Sequence, residues 1–233
     1  MICATMHFFP GGTLLKSYDL VHWEIAAHVF ERLDDTPAEQ LEGEQSIYGK
    51  GMWAASLRYH KDTFYVCFAS YDTGKTYIYR TKNINEPWEK RSLDGVYHHP
   101  SLLFDEDGRI YMGYGFNEVR ILELNDTLTA PKEGGFERLL VEEKQDAYIS
   151  YEGAHFYKKD GTYYIFVIQW LKGNLTQREQ LCLYGDSLDG EFKKEMVFSE
   201  NLGFPMKGVA QGGIVDTPEG DWYSVMYLSL IHI

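Results

Sequence analysis

Four stretches of this chain repeat one pattern, and the residues just ahead of each could carry chemistry. The stretches are residues 56–65, 101–111, 154–164 and 213–223, each reading as strand, tight turn, strand. Ahead of them stand Trp53-Ala54-Ala55, His98-His99-Pro100, Tyr151-Glu152-Gly153 and Ala210-Gln211-Gly212. Aligned on the closing Tyr65, Tyr111, Tyr164 and Tyr223, the residues Ala54, His99, Glu152 and Gln211 occupy one equivalent position. Glu152 is the only carboxylate among them, with Tyr151 before it and the small Gly153 and Ala154 after it. A carboxyl in a constricted, partly apolar funnel is expected to titrate above the ordinary range, which suits a general acid. The same glutamate could equally be structural, paired with a neighbouring arginine.

The elements that must position these residues are nearly all strands. Short runs rich in Tyr, Phe, Ile and Val alternate with Gly, Asp and Asn turns, and no segment shows sustained helical periodicity. Asp107-Gly108 and Asp160-Gly161 supply the positive φ that a hairpin turn prefers. The closing tyrosines are spaced by 46, 53 and 59 residues. A second element recurs between them: Lys16 to Glu24, Thr81 to Ile84 with Pro87-Trp88-Glu89, Leu124 to Leu128, and Gly185 to Leu188 with Glu191-Phe192. Four-stranded units at this spacing are the signature of a propeller blade. A β-sandwich also alternates short strands with turns, but its strands do not repeat as units of four. The expected architecture is an all-β, five-bladed propeller, incomplete at both ends. One partial catalytic domain would span 1–233, with blades near 1–30, 52–92, 97–141, 148–198 and 210–233. In a propeller the first strand of each blade lines the central channel, so the four aligned positions are expected to converge there.

Composition bounds the partners. The 233 residues carry 35 acidic and 22 basic side chains, a net charge of −13, which argues against a phosphate-backbone partner. No apolar run reaches the ~18 residues of a membrane helix. Cys3, Cys67 and Cys182 are too few and too scattered for a disulfide framework or a zinc site. The 5 Trp, 18 Tyr and 13 Phe are unusual, and they favour strands and flat apolar platforms. Six carboxylates between Glu31 and Glu44 lack calcium-loop spacing and read as a solvated loop. Asn125-Asp126-Thr127 and Asn174-Leu175-Thr176 match the nonspecific glycosylation pattern. Residues 1–9 read as the inside of a strand and the chain stops on apolar residues. Both ends are thus expected to be truncated, the open strand edges to make this polypeptide fold poorly alone, and localisation to be unreadable.

The motifs together resemble glycoside hydrolase family 43, the five-bladed propeller glycosidases, over about residues 2–227. Thr5 to Gly11 with Lys16 to Trp23 resembles that family's first blade. Trp53-Ala54-Ala55-Ser56 resembles its Trp-Ala-Pro motif with Ala55 in place of Pro, and Tyr151 to His155 resembles its Glu-Gly-Pro/Ser-His motif. Gln211 to Pro218 is similar to its fifth-blade motif. The flavour is that of the β-xylosidase and α-L-arabinofuranosidase branch.

The resemblance implies an inverting mechanism: a general-acid Glu, a general-base Asp, and a second Asp that tunes the acid. Glu152 matches the acid. The base belongs to an Asp-Pro motif that this sequence does not show, so the polypeptide as given is expected to be inactive. The tuning Asp belongs to His-Asp-Pro-Ser, where this chain has His98-His99-Pro100-Ser101. A neighbouring carboxylate raises an acid's pKa by like-charge repulsion, whereas a histidine does not. His99 could mark a non-catalytic carbohydrate-binding propeller, a subfamily variant, or a sequence error. His7, Phe9, Trp53, Trp170 and Gln211 are the candidate sugar contacts, and ordinary packing could explain each. The implied partner is an arabinoxylan-type oligosaccharide. No cofactor or metal is expected, a channel calcium being conceivable without a ligand cluster to support it. A protein-interaction propeller of the WD type lacks its Gly-His and Trp-Asp signatures.

Overall fold

The computed structural model describes residues 1–142, 146–172, 178–200, 202–203, 209–217 and 219–228. The described residues form seventeen strands and no helix. The sequon at 174–176, Pro218 and the last five residues lie outside the described residues.

The strands assemble as five antiparallel sheets, each an up-and-down run in chain order. The first is three-stranded: β1 (Ile2–Cys3), β2 (Gly11–Lys16) and β3 (Glu24–Phe30). The second is β4 (Ser56–His60), β5 (Thr63–Ser70), β6 (Lys75–Thr81) and β7 (Glu89–Asp94). The third is β8 (Ser101–Phe104), β9 (Ile110–Tyr114), β10 (Val119–Leu124) and β11 (Glu137–Val141). The fourth is β12 (Ala147–Lys159), β13 (Thr162–Leu171), β14 (Glu179–Gly185) and β15 (Lys193–Phe198). The fifth pairs β16 (Val209–Asp216) with β17 (Trp222–Leu228). Among the described residues no helix is long and apolar enough to cross a membrane.

Local turn chemistry sets the registers. His60 faces Thr63 across Lys61-Asp62, whose φ values are 48° and 57°. Lys159 faces Thr162 across Asp160-Gly161, at 50° and 84°. Two consecutive left-handed residues make the primed hairpin turn that matches strand twist. The first of these loops achieves it without glycine.

The chain forms two compact units, Met1–Ile110 with Glu123–Gly135, and Tyr111–Leu122 with Phe136–Ile233. In the first unit the core gathers Leu14, Val29, Phe30, Met52, Val66, Phe68, Tyr77 and Tyr79. Phe30 stacks on Phe68 at 5.5 Å and on Tyr79 at 5.4 Å, and Phe68 stacks on Tyr77 at 5.5 Å. Phe68 is fully buried, and truncating such a ring costs about 3–5 kcal/mol. In the second unit Tyr151, Phe156, Ile165, Val167 and Leu181 are buried along β12 to β14.

The acidic stretch is not wholly solvated. Glu39 is buried, and its carboxylate accepts the backbone N–H of Asp34 at 3.1 Å and of Asp35 at 2.7 Å. Asp34 accepts from the Tyr77 hydroxyl at 2.7 Å and from the Lys75 ammonium at 3.2 Å, and pairs with Lys90. Asp34 therefore fastens the loop to the second sheet and Glu39 braces the loop from within, uses that composition alone does not distinguish from solvation.

Candidate active site

Each unit holds part of the aligned set. In the first, Trp53 sits three residues ahead of β4. Its backbone N–H donates to the Ala69 carbonyl at 3.0 Å, and its indole N–H donates to the Gly49 carbonyl at 3.2 Å. Both ends of the side chain are thereby fixed. The indole packs edge-on against Tyr71 at 5.2 Å and against the imidazoles of His98 and His99 at 5.6 and 5.9 Å. The two imidazoles stack at 3.8 Å, and the Tyr71 hydroxyl lies 2.6 Å from His98 Nδ1.

His99 is 4% exposed and has φ 47°. This left-handed conformation directly precedes Pro100, a position that steric crowding normally pushes toward extended backbone. Strain of this kind persists only where the surroundings hold it. Arg58 supplies one such hold: it donates to the Leu102 carbonyl at 2.9 Å and to the buried Ser101 hydroxyl at 2.7 Å.

His7 lies in the same unit. Its Nδ1 accepts the Gly49 N–H at 3.3 Å, so Gly49 links His7 to Trp53. Phe9 takes a different place. It packs against the core at the edge of Phe30, 6.1 Å away, and lines an open cavity of about 440 Å³ with Pro10, Glu31, Arg32 and Glu39.

In the second unit Glu152 is half-buried inside β12, opposite Ile168 of β13. The register shifts on both sides of it, between Ile149 and Glu152 and between Glu152 and His155. A bulged strand re-aims a side chain that the regular alternation would place elsewhere. Gly153 has φ +75°, and a Cβ there would meet Gln211 Oε1 at 2.4 Å and Gln211 Cβ at 2.5 Å. Glycine is therefore required, and Glu152 and Gln211 come from neighbouring positions of β12 and β16. Gln211 Oε1 is buried with no hydrogen-bond partner among the described residues, a costly state for an amide oxygen.

Two residues that the sequence reading missed act on this strand. Asn117, at φ 60°, donates its backbone N–H to the Tyr151 carbonyl at 2.8 Å and accepts the Ser150 N–H on Oδ1 at 2.9 Å. It supplies hydrogen bonds to the backbone where the irregular β12 ladder departs from regular pairing. Arg178 lies half-buried with its guanidinium 4.9 Å over the Trp170 ring. Burial pulls its pKa down, and the Glu152 carboxylate pulls it back up. Arg178 and Glu152 therefore attract one another across the strand. Trp170 also meets Tyr148 at 4.8 Å. A lone asparagine in the 115–118 turn and an arginine before β14 belong to no repeat, so no sequence signal picks them out.

Among the described residues, the side chains of metal-ligating type at or beside the aligned positions are His98 and His99 in the first unit and Glu152 in the second.

Comparison with known proteins adds the family. A model described as glycosyl hydrolases family 43 matches residues 1–229. A β-xylosidase of Formosa agariphila is 26% identical over 96% of this chain and 41% of its own length. A non-reducing end α-L-arabinofuranosidase of Bacteroides ovatus is 28% identical over 97% of this chain and 42% of its own. The solved structure of a bifunctional GH43-CE protein of Bacteroides eggerthii is 36% identical with a TM-score of 0.89, covering 98% of this chain and 29% of that one. The chain thus spans less than half the length of these relatives. Blade-like sheets and the structural likeness together give the fold class, the all-β propeller.

Proposed function

The chain belongs to glycosyl hydrolase family 43, and from that premise we propose that it is the catalytic propeller, five-bladed, of an inverting exo-glycosidase acting on terminal xylosyl or arabinofuranosyl groups of plant polysaccharide fragments. The observation that carries this reading is the setting of Glu152. It is the carboxylate at the aligned position, re-aimed by a bulge and followed by a glycine whose missing side chain leaves room for Gln211, an amide oxygen without a hydrogen-bond partner among the described residues. In this reading Glu152 protonates the leaving glycosidic oxygen while a carboxylate base, which the family's Asp-Pro motif would supply, takes a proton from the water attacking the opposite face of the sugar. A sugar hydroxyl donating to Gln211 Oε1 would supply a partner that no described residue gives it. His99 takes the position of the tuning carboxylate, and no residue of this chain is assigned to the general base. The β-xylosidase and arabinofuranosidase names of relatives support the substrate class.

A second reading is a carbohydrate-binding propeller without turnover, favoured by His99 at the tuning position. One experiment separates the two: the chain supplied with the family's Asp-Pro base motif ahead of β1 is incubated with xylobiose and with an aryl arabinofuranoside, and the anomeric proton is followed by NMR. Release of the inverted anomer, abolished in Glu152→Gln, supports hydrolysis. Retention of configuration, or full turnover in Glu152→Gln, overturns it. Binding without turnover establishes the second reading, and a gain of turnover in His99→Asp would then identify position 99 as the cause.

A further inference from the structure

The loops that fix His7 and Trp53 also hold two large rings out in water. Phe8 is 67% exposed and Tyr48 77% exposed. Both meet the His7 imidazole, whose centroid lies 4.3 Å from Phe8 and 4.5 Å from Tyr48, with tilts of 37° and 40°. This exposure is not that of a loose tip. Beside Tyr48, the Gly49 N–H donates to His7 Nδ1 and the Gly49 carbonyl accepts from Trp53. The Lys50 carbonyl accepts from the backbone of Tyr71 at 2.8 Å and of Asp72 at 3.0 Å. The Met52 N–H donates to the Met6 carbonyl at 2.7 Å, and Gly51 passes so close that a Cβ would stand 2.1 Å from that oxygen. The segments that carry His7 and Tyr48 are thereby tied to one another, with both exposed rings against the His7 imidazole. Because His7 Nδ1 is an acceptor, the neutral ring carries its proton on Nε2, which leaves a donor among the exposed faces.

Flat apolar faces beside a fixed hydrogen-bond donor suit a sugar ring, which offers C–H faces and equatorial hydroxyls. The comparison with Tyr18 is instructive. It is 92% exposed on the β2–β3 hairpin, and the contact recorded for it is the Lys16 ammonium at 6.0 Å. It is a single ring without a frame, whereas Tyr48 belongs to a framed set joined through Gly49 to Trp53.

We propose that His7, Phe8 and Tyr48 form an outer subsite that stacks a second, non-terminal sugar residue of a xylo-oligosaccharide whose end residue lies at Trp53. The proposal rests on the carbohydrate reading above and extends it to substrate length. It is tested by calorimetric titration of the 233-residue chain with xylose and with xylobiose, in wild type, Tyr48→Ala, Phe8→Ala and Tyr18→Ala. The expected result is that xylobiose binds about tenfold tighter than xylose. Tyr48→Ala and Phe8→Ala should each lower the xylobiose affinity by about three- to tenfold and leave xylose affinity and Tm unchanged. Tyr18→Ala should change neither. If xylobiose binds and Tyr48→Ala leaves it untouched, or weakens xylose equally, the outer subsite is wrong while the carbohydrate reading stands. If neither sugar binds, both fall. Should Tyr48→Ala alter sedimentation and not sugar affinity, the platform is a self-association surface and the proposal is overturned.

Discussion

Position 99 and position 152 are equivalent in the repeat, yet the two units build them differently. His99 precedes its strand, in a bend at φ 47°, and β8 starts only at Ser101. Glu152 lies inside its strand, five residues after β12 begins. The same split holds for the other aligned pair: Ala54 precedes β4, while Gln211 is inside β16. In the first unit the site residue is held by side chains around a loop, with Trp53, His98 and Arg58 as its neighbours. In the second it is held by backbone, through a bulge, a left-handed glycine and the Asn117 clamp. A bulged strand tolerates little change in its backbone geometry, whereas a loop packed by rings tolerates exchange of a side chain that suits its φ. Substitutions in the second unit should therefore cost more.

The largest effect is expected for Gly153→Ala. A Cβ at φ +75° costs about 1–2 kcal/mol in backbone strain, and the clash with Gln211 adds about 1–3 kcal/mol of overpacking. A loss near 3 kcal/mol should appear as a fall of Tm by about 6–12 °C in a thermal melt. A melt within 2 °C of wild type would show, by the same conversion of roughly 2–4 °C per kcal/mol, that β12 yields easily and that the contrast between units is mistaken. Next comes Asn117→Ala, which loses the Ser150 bond and places alanine at φ 60°. It should cost about 2 kcal/mol, and Asn117→Gly about half that, because glycine accepts the conformation and loses only the side-chain bond. Equal losses in a urea titration would mean that the φ contributes nothing.

What the sequence shows of this contrast is instructive. The four recurring segments fall on β4–β5, β8–β9, β12–β13 and β16–β17, because strand pairs separated by Gly and Asp turns leave a direct imprint on residue type. Gly108 and Gly161 have the expected positive φ. The approach of Gly153 to Gln211 joins the segments just ahead of two of the repeats. The early start of β12 is not readable in the sequence. Ala147 to Ser150 has unremarkable strand composition, and a bulge is a property of pairing rather than of residue type. Asn117 and Arg178 act from single positions outside the repeat. Tyr48 follows an acidic stretch whose composition hides the buried Glu39, and its own aromatic frame comes from residues distant in sequence.

A smaller effect separates the units by pH. Burial opposes ionisation of Asp34 in the first unit, but the Lys90 ammonium, the Tyr77 hydroxyl and Lys75 outweigh it and hold the carboxyl below the ordinary range. A carboxyl lowered on folding contributes stability that is present above its unfolded value and is lost as pH falls through the folded one. Asp34→Asn should therefore cost about 1–2 kcal/mol at neutral pH and nothing once the wild-type group is protonated. The ratio of amide exchange rates in β5 and β6 between Asp34→Asn and wild type, taken at each pH from 6 down to 3, should fall toward one. A ratio that stays constant over this range would assign the loss to packing instead.

The smallest effect is expected for His99→Asn, and its comparison with His99→Ala is the sharpest test of the contrast. Histidine, asparagine and aspartate are the residues that most readily enter the left-handed region after glycine. His99→Asn keeps that freedom and loses ring packing against His98 and Trp53, so it should cost less than about 1 kcal/mol. His99→Ala loses the same packing and adds the backbone penalty, about 1–2 kcal/mol more. The difference between the two variants isolates the strain, because neither keeps a ring. If they melt together, the bend before Pro100 relaxes at no cost and the loop is held by nothing but the imidazole stack. If His99→Asn melts well above His99→Ala, the backbone before β8 is shaped in advance for a short polar side chain. The histidine then occupies a position whose geometry would serve a carboxylate equally well, which is the condition under which a single exchange there can change the chemistry of the site without changing the fold.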